Sequence, residues 1–146
     1  MSGAFMYAHD FGIESAKDYP YTAWDQNCVA DSKLVVLKTT GGSQVEANSA
    51  QALKAAIVEG PVSVGIEADS FAFQFYKSGI INKDCGEDID HGVVAIGYGV
   101  DASGIAYYIV RNSWGHSWGI DGYVNIAIEE GAGVCGIQKE PVIPLF

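Results

Sequence analysis

In the second half of the chain, one side chain could transfer a proton and a second could orient it. His91 opens an apolar segment, and Asn112 closes the next apolar segment of the chain. An imidazole that takes a proton from a thiol needs its second nitrogen held by an acceptor, which fixes the tautomer and the direction of the ring. An asparagine carbonyl does this without adding charge. Taken alone the pair proves little, because a histidine at the start of a strand is more often structural.

Three cysteines supply the thiols of the chain, at positions 28, 85 and 135. None belongs to a C-x-x-C pair of the kind that indicates zinc or a redox motif. An odd number also leaves one cysteine over under any pairing within the chain. No metal or organic cofactor is implied.

Composition excludes several classes of function. The 146 residues are 49% hydrophobic and 18% charged, which is typical of one compact domain or part of a larger one and not of a disordered tail. A formal net charge of −10 offers no cationic surface for nucleic acid. The apolar runs are far too short to span a bilayer, and the first residues contain no basic signal-peptide region. We therefore expect neither nucleic acid nor membrane as a partner.

The first half of the chain reads as two helices with little strand. Apolar spacing and capping signals predict the elements, and Pro20 breaks regularity between them. The predicted elements are a helix over 4–13 ending at Gly12, an extended connection over 19–31, a strand over 34–37, a turn over 40–43, and a helix from Asn48-Ser49 to Gly60-Pro61.

The second half reads as short strands. Alternating apolar residues predict a strand over 62–66, and segments rich in β-forming residues predict strands over 91–98, 106–112 and 122–127, with a short helix or turn over 71–76 and a hairpin loop over 99–104. Helices concentrated before residue 60 and strands after it define an α+β class. We expect a strongly bent or barrel-like antiparallel sheet flanked by helices.

Long segments around the candidate pair match a known family. Asp90 to Gly99 reads DHGVVAIGYG, and Tyr108 to Gly115 reads YIVRNSWG, followed by Trp118-Gly119 and Gly122-Tyr123. The chain resembles the papain-like cysteine proteases in these segments, whose Cys, His, Asn scheme is a recognised pattern. Further matching segments are Tyr19-Pro20-Tyr21, Gly60 to Val64, Phe75 to Ile80 and Val134 to Ile137.

The resemblance implies roles for individual residues. His91 corresponds to the base, Asn112 to the residue that orients it, Trp114 to a cover over their contact, and Trp118 to a residue near the leaving-group side. Glu140 corresponds to the bottom of the pocket for the second substrate side chain before the cut, where an acid would favour arginine. The other positions implied for substrate binding are Gly65, Ala68, Ile89 and Asp90.

The nucleophile that the family requires is not among these residues. It lies in a Cys-Gly-Ser/Ala-Cys-Trp/Tyr segment about 130–150 residues before the histidine. Cys28 lacks the helix start and the flanking aromatic residue of that segment, and it resembles a cysteine that forms a disulfide with an upstream segment. By the same resemblance Cys85 pairs with Cys135, the alternative being two buried free thiols.

The fold implied by the resemblance is α+β and papain-like, with an antiparallel β-barrel-like (right-hand) domain and part of the helical (left-hand) domain. Residues 1–146 correspond to the C-terminal part of the peptidase domain. Residues 1–20 correspond to a remnant of the helical lobe, and about 21–146 mainly to the β-rich lobe.

Two functions are compatible with these residues. The first is a thiol endopeptidase whose nucleophile comes from a missing N-terminal segment or a second, light chain, so that the isolated chain is inactive. Its partners would be protein or peptide substrates and a propeptide or cystatin-like inhibitor. The alternative is a catalytically inactive papain-like module that serves as a binding or structural subunit. Disulfides and an acidic composition favour a lysosomal, vacuolar or extracellular location.

Overall fold

A computed structural model describes residues 1–146, and its backbone forms two compact units. The larger unit comprises Met1 with residues 44–143, and the smaller comprises residues 2–43 with 144–146. These units follow from backbone proximity, whereas the predicted division at about residue 20 concerns the family lobes. That division stays a prediction.

The smaller unit contains one helix and a two-stranded antiparallel sheet. Helix α1 spans Ser2–Asp10, strand β1 spans Ile13–Glu14 and strand β2 spans Val35–Leu37. The two strands pair antiparallel. The predicted helix and strand are therefore present, although the helix ends before Gly12, whose φ of 81° takes the backbone out of the helical region.

The remaining elements include a six-stranded sheet. They are strand β3 (Gly41–Gln44), helix α2 (Ala50–Glu59), strand β4 (Val62–Ile66), helix α3 (Phe71–Gln74), strands β5 (His91–Val100), β6 (Ala106–Arg111) and β7 (Tyr123–Ala127), a 3₁₀ turn (Val134–Gly136) and strand β8 (Val142–Leu145). The strand order is β3-β8-β4-β5-β6-β7. The α+β class is confirmed, and the sheet is open rather than closed into a barrel.

Helix α2 begins and ends where its capping residues predict. The Ser49 hydroxyl accepts a hydrogen bond of 3.2 Å from the Ala52 N–H, and Gly60 follows the last helical residue. Leu53 and Ile57 lie one turn apart on the buried face of this helix.

The core of the larger unit lies on one face of the sheet. Alternate residues of β4, namely Val62, Val64 and Ile66, are completely buried, as are Tyr108 and Val110 of β6. Burial of apolar side chains at this spacing fixes the register, because a shift by one residue would turn them to the other face. No helix is long and apolar enough to cross a membrane.

Two local predictions were wrong. The segment predicted as a turn over 40–43 is strand β3, and the flanking N–H groups of Thr40 and Val45 donate to Leu145 O at 2.7 Å and Pro141 O at 2.9 Å. Strand β5 also continues to Val100, so the hairpin loop is shorter than predicted. In both places tertiary pairing of strands overrides the tendency of local glycines to form turns.

Candidate active site

His91 is held at the exact point where β5 begins. It pairs with Ile66, the last residue of β4, and the preceding N–H of Asp90 donates a hydrogen bond of 3.1 Å to Ile66 O. The imidazole is half-buried. Its position is therefore set by the end of a strand pair that contributes Val64, Val93 and Ala95 to the core.

Asn112 follows directly after β6, the strand adjacent to β5. Its N–H donates to Gly122 O at 2.9 Å, which fixes the backbone, and its side chain is buried. The Oδ1 atom lies 2.9 Å from His91 Nε2 and 2.8 Å from the N–H of Ser113. The structure thus brings the two sequence-predicted residues into direct contact.

The contact with Ser113 determines the tautomer of His91. A backbone N–H can only donate, so the Asn112 atom beside Ser113 must be the oxygen. Since that same oxygen faces His91 Nε2, the histidine nitrogen must carry the proton. In a neutral ring this leaves Nδ1 as the unprotonated nitrogen, which is the form a general base requires.

The amide nitrogen of Asn112 has no comparable partner. Nδ2 is buried and makes no hydrogen bond within the chain. A buried donor left unpaired costs about 1–3 kcal/mol. The two hydrogen bonds accepted by Oδ1 therefore hold the asparagine in this orientation, although the unpaired Nδ2 destabilises it.

Aromatic rings surround the histidine. The Trp114 ring centroid lies 5.3 Å from that of His91, at an interplanar angle of 31°, and the Phe73 ring meets His91 edge-on at 6.3 Å. Trp114 is in turn 5.4 Å from both Phe73 and Trp118. Such apolar surroundings exclude water and strengthen a nearby hydrogen bond.

Trp118 anchors the loop that follows Asn112. It is buried, its Nε1–H donates to Gln74 O at 3.1 Å, and its ring packs 4.9 Å from Phe73 and 5.8 Å from Tyr76. Trp118 thus ties the loop to helix α3. Its predicted place near a leaving group stays a prediction.

The predicted substrate-pocket residues lie mostly at the ends of β4 and β5. A Cβ on Gly65 would lie 2.6 Å from Ile89 Cγ2, so only glycine permits this close packing. The Asp90 carboxylate accepts hydrogen bonds from Ala68 N–H at 2.7 Å and Asp69 N–H at 3.1 Å. These contacts join four of the five residues in pairs.

Glu140 is the fifth predicted pocket residue. It is exposed, and its carboxylate takes part in neither of the two ion pairs of the chain. No contact with the other four is shown, so its role as the base of a pocket stays a prediction.

The cysteines fall into two kinds. Cys85 and Cys135 form a disulfide across a separation of 50 residues, which is the pairing that the family resemblance implies. Cys28 is free and exposed in the smaller unit. There it lines a cavity of about 440 Å³ together with Tyr7 and Tyr19.

The structure adds three contributors that the sequence analysis missed. Phe73 and Gln74 of α3 meet the aromatic residues beside His91, and Glu67 contacts the loop leading to His91. An apolar residue in a four-residue helix carries no distinctive signal. A charged residue immediately after a strand of alternating apolar residues, as at Glu67, is a signal that could have been used.

The chain is similar in sequence to known cysteine proteases. The family described as papain family cysteine protease matches residues 1–145. Cysteine proteinase EP-B 1 of Hordeum vulgare is 41% identical over 152 residues, which cover 99% of this chain and 41% of that protein. The chain spans less than half the length of the curated relatives it matches.

Solved structures confirm the papain-like fold that the family resemblance implies. The bromelain protease from Ananas comosus, in complex with the E64 inhibitor, superposes with a TM-score of 0.92 at 35% identity, covering 99% of this chain and 68% of that one. The Amb a 11 cysteine protease, a ragweed pollen allergen in its proform, gives a TM-score of 0.94 at 34% identity, covering 100% of this chain and 45% of that one.

Proposed function

Because the chain belongs to the papain family of cysteine proteases, we propose that it carries the proton-transfer half of a thiol endopeptidase. His91 is the base and Asn112 orients it. The observation that carries the proposal is the hydrogen bond of 2.9 Å between His91 Nε2 and Asn112 Oδ1, with its tautomer set by Ser113. A module with only a structural role has no need of this arrangement.

The proposed reaction uses the free nitrogen of the histidine. Nδ1 of His91 takes the proton of a cysteine thiol, and the thiolate sulfur attacks the peptide carbonyl carbon. As the carbon–sulfur bond forms, the carbonyl π electrons move to oxygen. The imidazolium then protonates the amine nitrogen while the carbon–nitrogen bond breaks. Water, deprotonated by His91, hydrolyses the remaining thioester and restores the thiol.

The nucleophile in this proposal comes from an N-terminal segment or a second chain. Cys28 is the only free thiol here, and it lies in a segment without regular secondary structure, away from the start of any helix. We assign it instead to a disulfide with the segment that bears the nucleophile. The isolated chain is then inactive.

Partners and location follow from the same assignment. Protein or peptide substrates fit an endopeptidase, and the relatives solved in a proform or with an inhibitor favour a propeptide or inhibitor as a further ligand. A disulfide and a net charge of −10 favour a vacuolar, lysosome-like or extracellular compartment. Glu140 is the proposed determinant for arginine at the second position before the cut.

One experiment tests the central proposal. The intact mass of protein purified from its native source is measured before and after reduction, together with labelling by a peptidyl epoxide. We expect the label either on a second polypeptide that reduction releases or on a longer single chain that includes the N-terminal segment. A single chain with a free Cys28 and no label would instead identify an inactive papain-like module. Labelling of the isolated 146-residue chain would contradict the assignment of the nucleophile to another segment.

A further inference from the structure

Two carboxylates link the segment after β4 to the segment before β5, beside the His91–Ile66 pair. Each segment supplies one carboxylate, which accepts hydrogen bonds from backbone N–H groups of the other segment. Glu67, just after β4, accepts hydrogen bonds from Gly86 N–H at 2.9 Å and Asp88 N–H at 2.7 Å. Asp90, just before β5, accepts from the N–H groups of residues 68 and 69 at 2.7 and 3.1 Å. We call these four hydrogen bonds the reciprocal clamp.

Each carboxylate satisfies backbone donors that no strand supplies with an acceptor. Residues 67–69 and 85–90 lie outside the sheet, where N–H groups need other partners. Hydrogen bonds to an ionised carboxylate are roughly twice as strong as those between neutral groups. Glu67 uses one oxygen for each donor, so both of its oxygens are engaged.

The clamp sits among other anchors of the same loop. Cys85 is bonded to Cys135, and the Glu67 N–H donates to Cys135 O at 2.9 Å. Lys139 Nζ donates to Glu87 O at 2.9 Å. The loop from residue 85 to 90 is therefore held at nearly every residue before it delivers His91 to its strand.

Gly86 makes room for the Glu67 carboxylate. A Cβ at position 86 would overlap Glu67 Oε2, and it would lie only 2.7 Å from Oε1. The backbone of Gly86 does not have a positive φ, so alanine there would meet the carboxylate without straining the main chain. The clamp can thus be broken from either side.

We propose that Glu67 is a positioning residue for His91. Through its hydrogen bonds to Gly86 and Asp88, Glu67 fixes the loop that precedes His91, and this loop orients the imidazole ring toward Asn112. The proposal rests on the proposed role of His91 as the base. Glu67 itself touches neither His91 nor Asn112 in a hydrogen bond, and acts through the loop.

The test compares two variants with a control of equal charge. In Glu67→Gln the amide can accept one N–H, but its NH₂ group faces the other donor. Gly86→Ala displaces the carboxylate without changing charge. Glu87→Gln removes one charge from the same loop. The Glu87 carboxylate accepts no backbone N–H and forms one ion pair, at 3.9 Å from Lys139 Nζ. All three are prepared as ¹⁵N-labelled protein of the full chain.

Two signals are measured by NMR. We expect Glu67→Gln and Gly86→Ala to accelerate amide hydrogen exchange at Gly86 and Asp88 by about tenfold or more, and to move the His91 ring ¹⁵N shifts toward a mixture of tautomers. Glu87→Gln leaves both signals as in the parent. In the assembled enzyme we expect the two variants to lower kcat more than they change KM, because Glu67 and Gly86 are not among the residues predicted to bind substrate.

Faster exchange at Gly86 and Asp88 with unchanged His91 ring shifts would overturn the positioning role. So would equal effects from Glu87→Gln, which would reduce the result to charge. Failure of the proposed function has a different signature: the parent chain itself would lack the Nε2–H tautomer of His91, whatever the variants do.

Discussion

The rings of His91 and Trp114 lie 5.3 Å apart with 31° between their planes, while Trp114 keeps 41% of its surface exposed. The indole therefore packs against the imidazole and is itself in contact with solvent. We predict that it shields the hydrogen bond between His91 and Asn112 from water.

Replacement of Trp114 by alanine should speed the exchange of the His91 Nε2–H proton with water. In the assembled enzyme, loss of about 1 kcal/mol from this hydrogen bond would lower kcat/KM by about fivefold. Proton exchange measured by NMR checks the first effect. Trp24→Ala is the control, because that indole is 83% exposed in the smaller unit; equal changes in both variants would refute a covering role.

Replacement of Asn112 by alanine removes the acceptor shared by His91 Nε2–H and Ser113 N–H. The imidazole should then populate both neutral tautomers, and kcat/KM of the assembled enzyme should fall by about a hundredfold. Ring ¹⁵N shifts and steady-state kinetics measure the two effects. Asn125→Ala in β7 is the matched control, and a tautomer unchanged in Asn112→Ala would contradict the orienting role.

Opening the disulfide should destabilise the chain strongly. Cys85 and Cys135 are 50 residues apart, for which the chain-entropy model gives about 4 kcal/mol in the free energy of unfolding. Urea denaturation of the double variant Cys85→Ser, Cys135→Ser measures the loss. The exposed Cys28→Ser serves as control, and a double variant as stable as that control would count against the bridge as a major source of stability.

Stability should fall at alkaline pH because of Tyr108. Burial, with a smaller effect from the charge of Glu130, raises the pKa of Tyr108 well above its ordinary value of 10.0. Tyr108 makes its full contribution to the free energy of unfolding at pH values below that ordinary pKa. As the pH rises further, the unfolded tyrosine loses its proton while the folded one keeps it, so the free energy of unfolding decreases.

The Tyr108→Phe variant isolates this effect. It should lose about 1–2 kcal/mol near neutral pH, since Gln138 Oε1 loses the hydroxyl that donates to it at 2.8 Å. Its alkaline decline should be shallower than in the parent. Urea titrations from about pH 8 to 11 compare the slopes, with the exposed Tyr21→Phe as control; parallel slopes in parent and Tyr108→Phe would exclude Tyr108 as a source.

Selectivity for arginine should depend on Glu140. In the assembled enzyme, Glu140→Ala should reduce the preference for arginine over phenylalanine at the second position before the cut by about fivefold, the value of a partly exposed ion pair near 1 kcal/mol. The ratio of kcat/KM for two matched peptides measures it. Glu129→Ala, also an exposed acid, is the control, and an unchanged ratio in Glu140→Ala would remove Glu140 from the pocket.

Elements defined by neighbouring residues could be predicted from the sequence. Helix α2 carries its own signals in Ser49 and Gly60, the strand at residues 62–66 carries alternating apolar residues, and the strand at residues 106–111 is a run of aromatic and β-branched residues. Strand β3 could not be predicted, because its partner lies at the other end of the chain and its own glycines favour a turn.

The same limit applies to the site. His91 and Asn112 are recognisable because each stands in a long motif of adjacent residues. Glu67 meets Gly86 and Asp88 across 19 and 21 residues, and no short pattern joins them. A contact of this kind depends on where β4 and β5 end in space, which only the folded sheet determines.

The Cys85–Cys135 bond also closes a covalent ring that contains both His91 and Asn112. The hairpin tip between them exposes Ala102, Ser103 and Gly104, which is the sort of loop that proteases cut. A single cut there would put His91 and Asn112 on different peptides, yet the ring would hold the two pieces together as one molecule. A protease could thus cut the chain between His91 and Asn112 without separating either residue from the molecule.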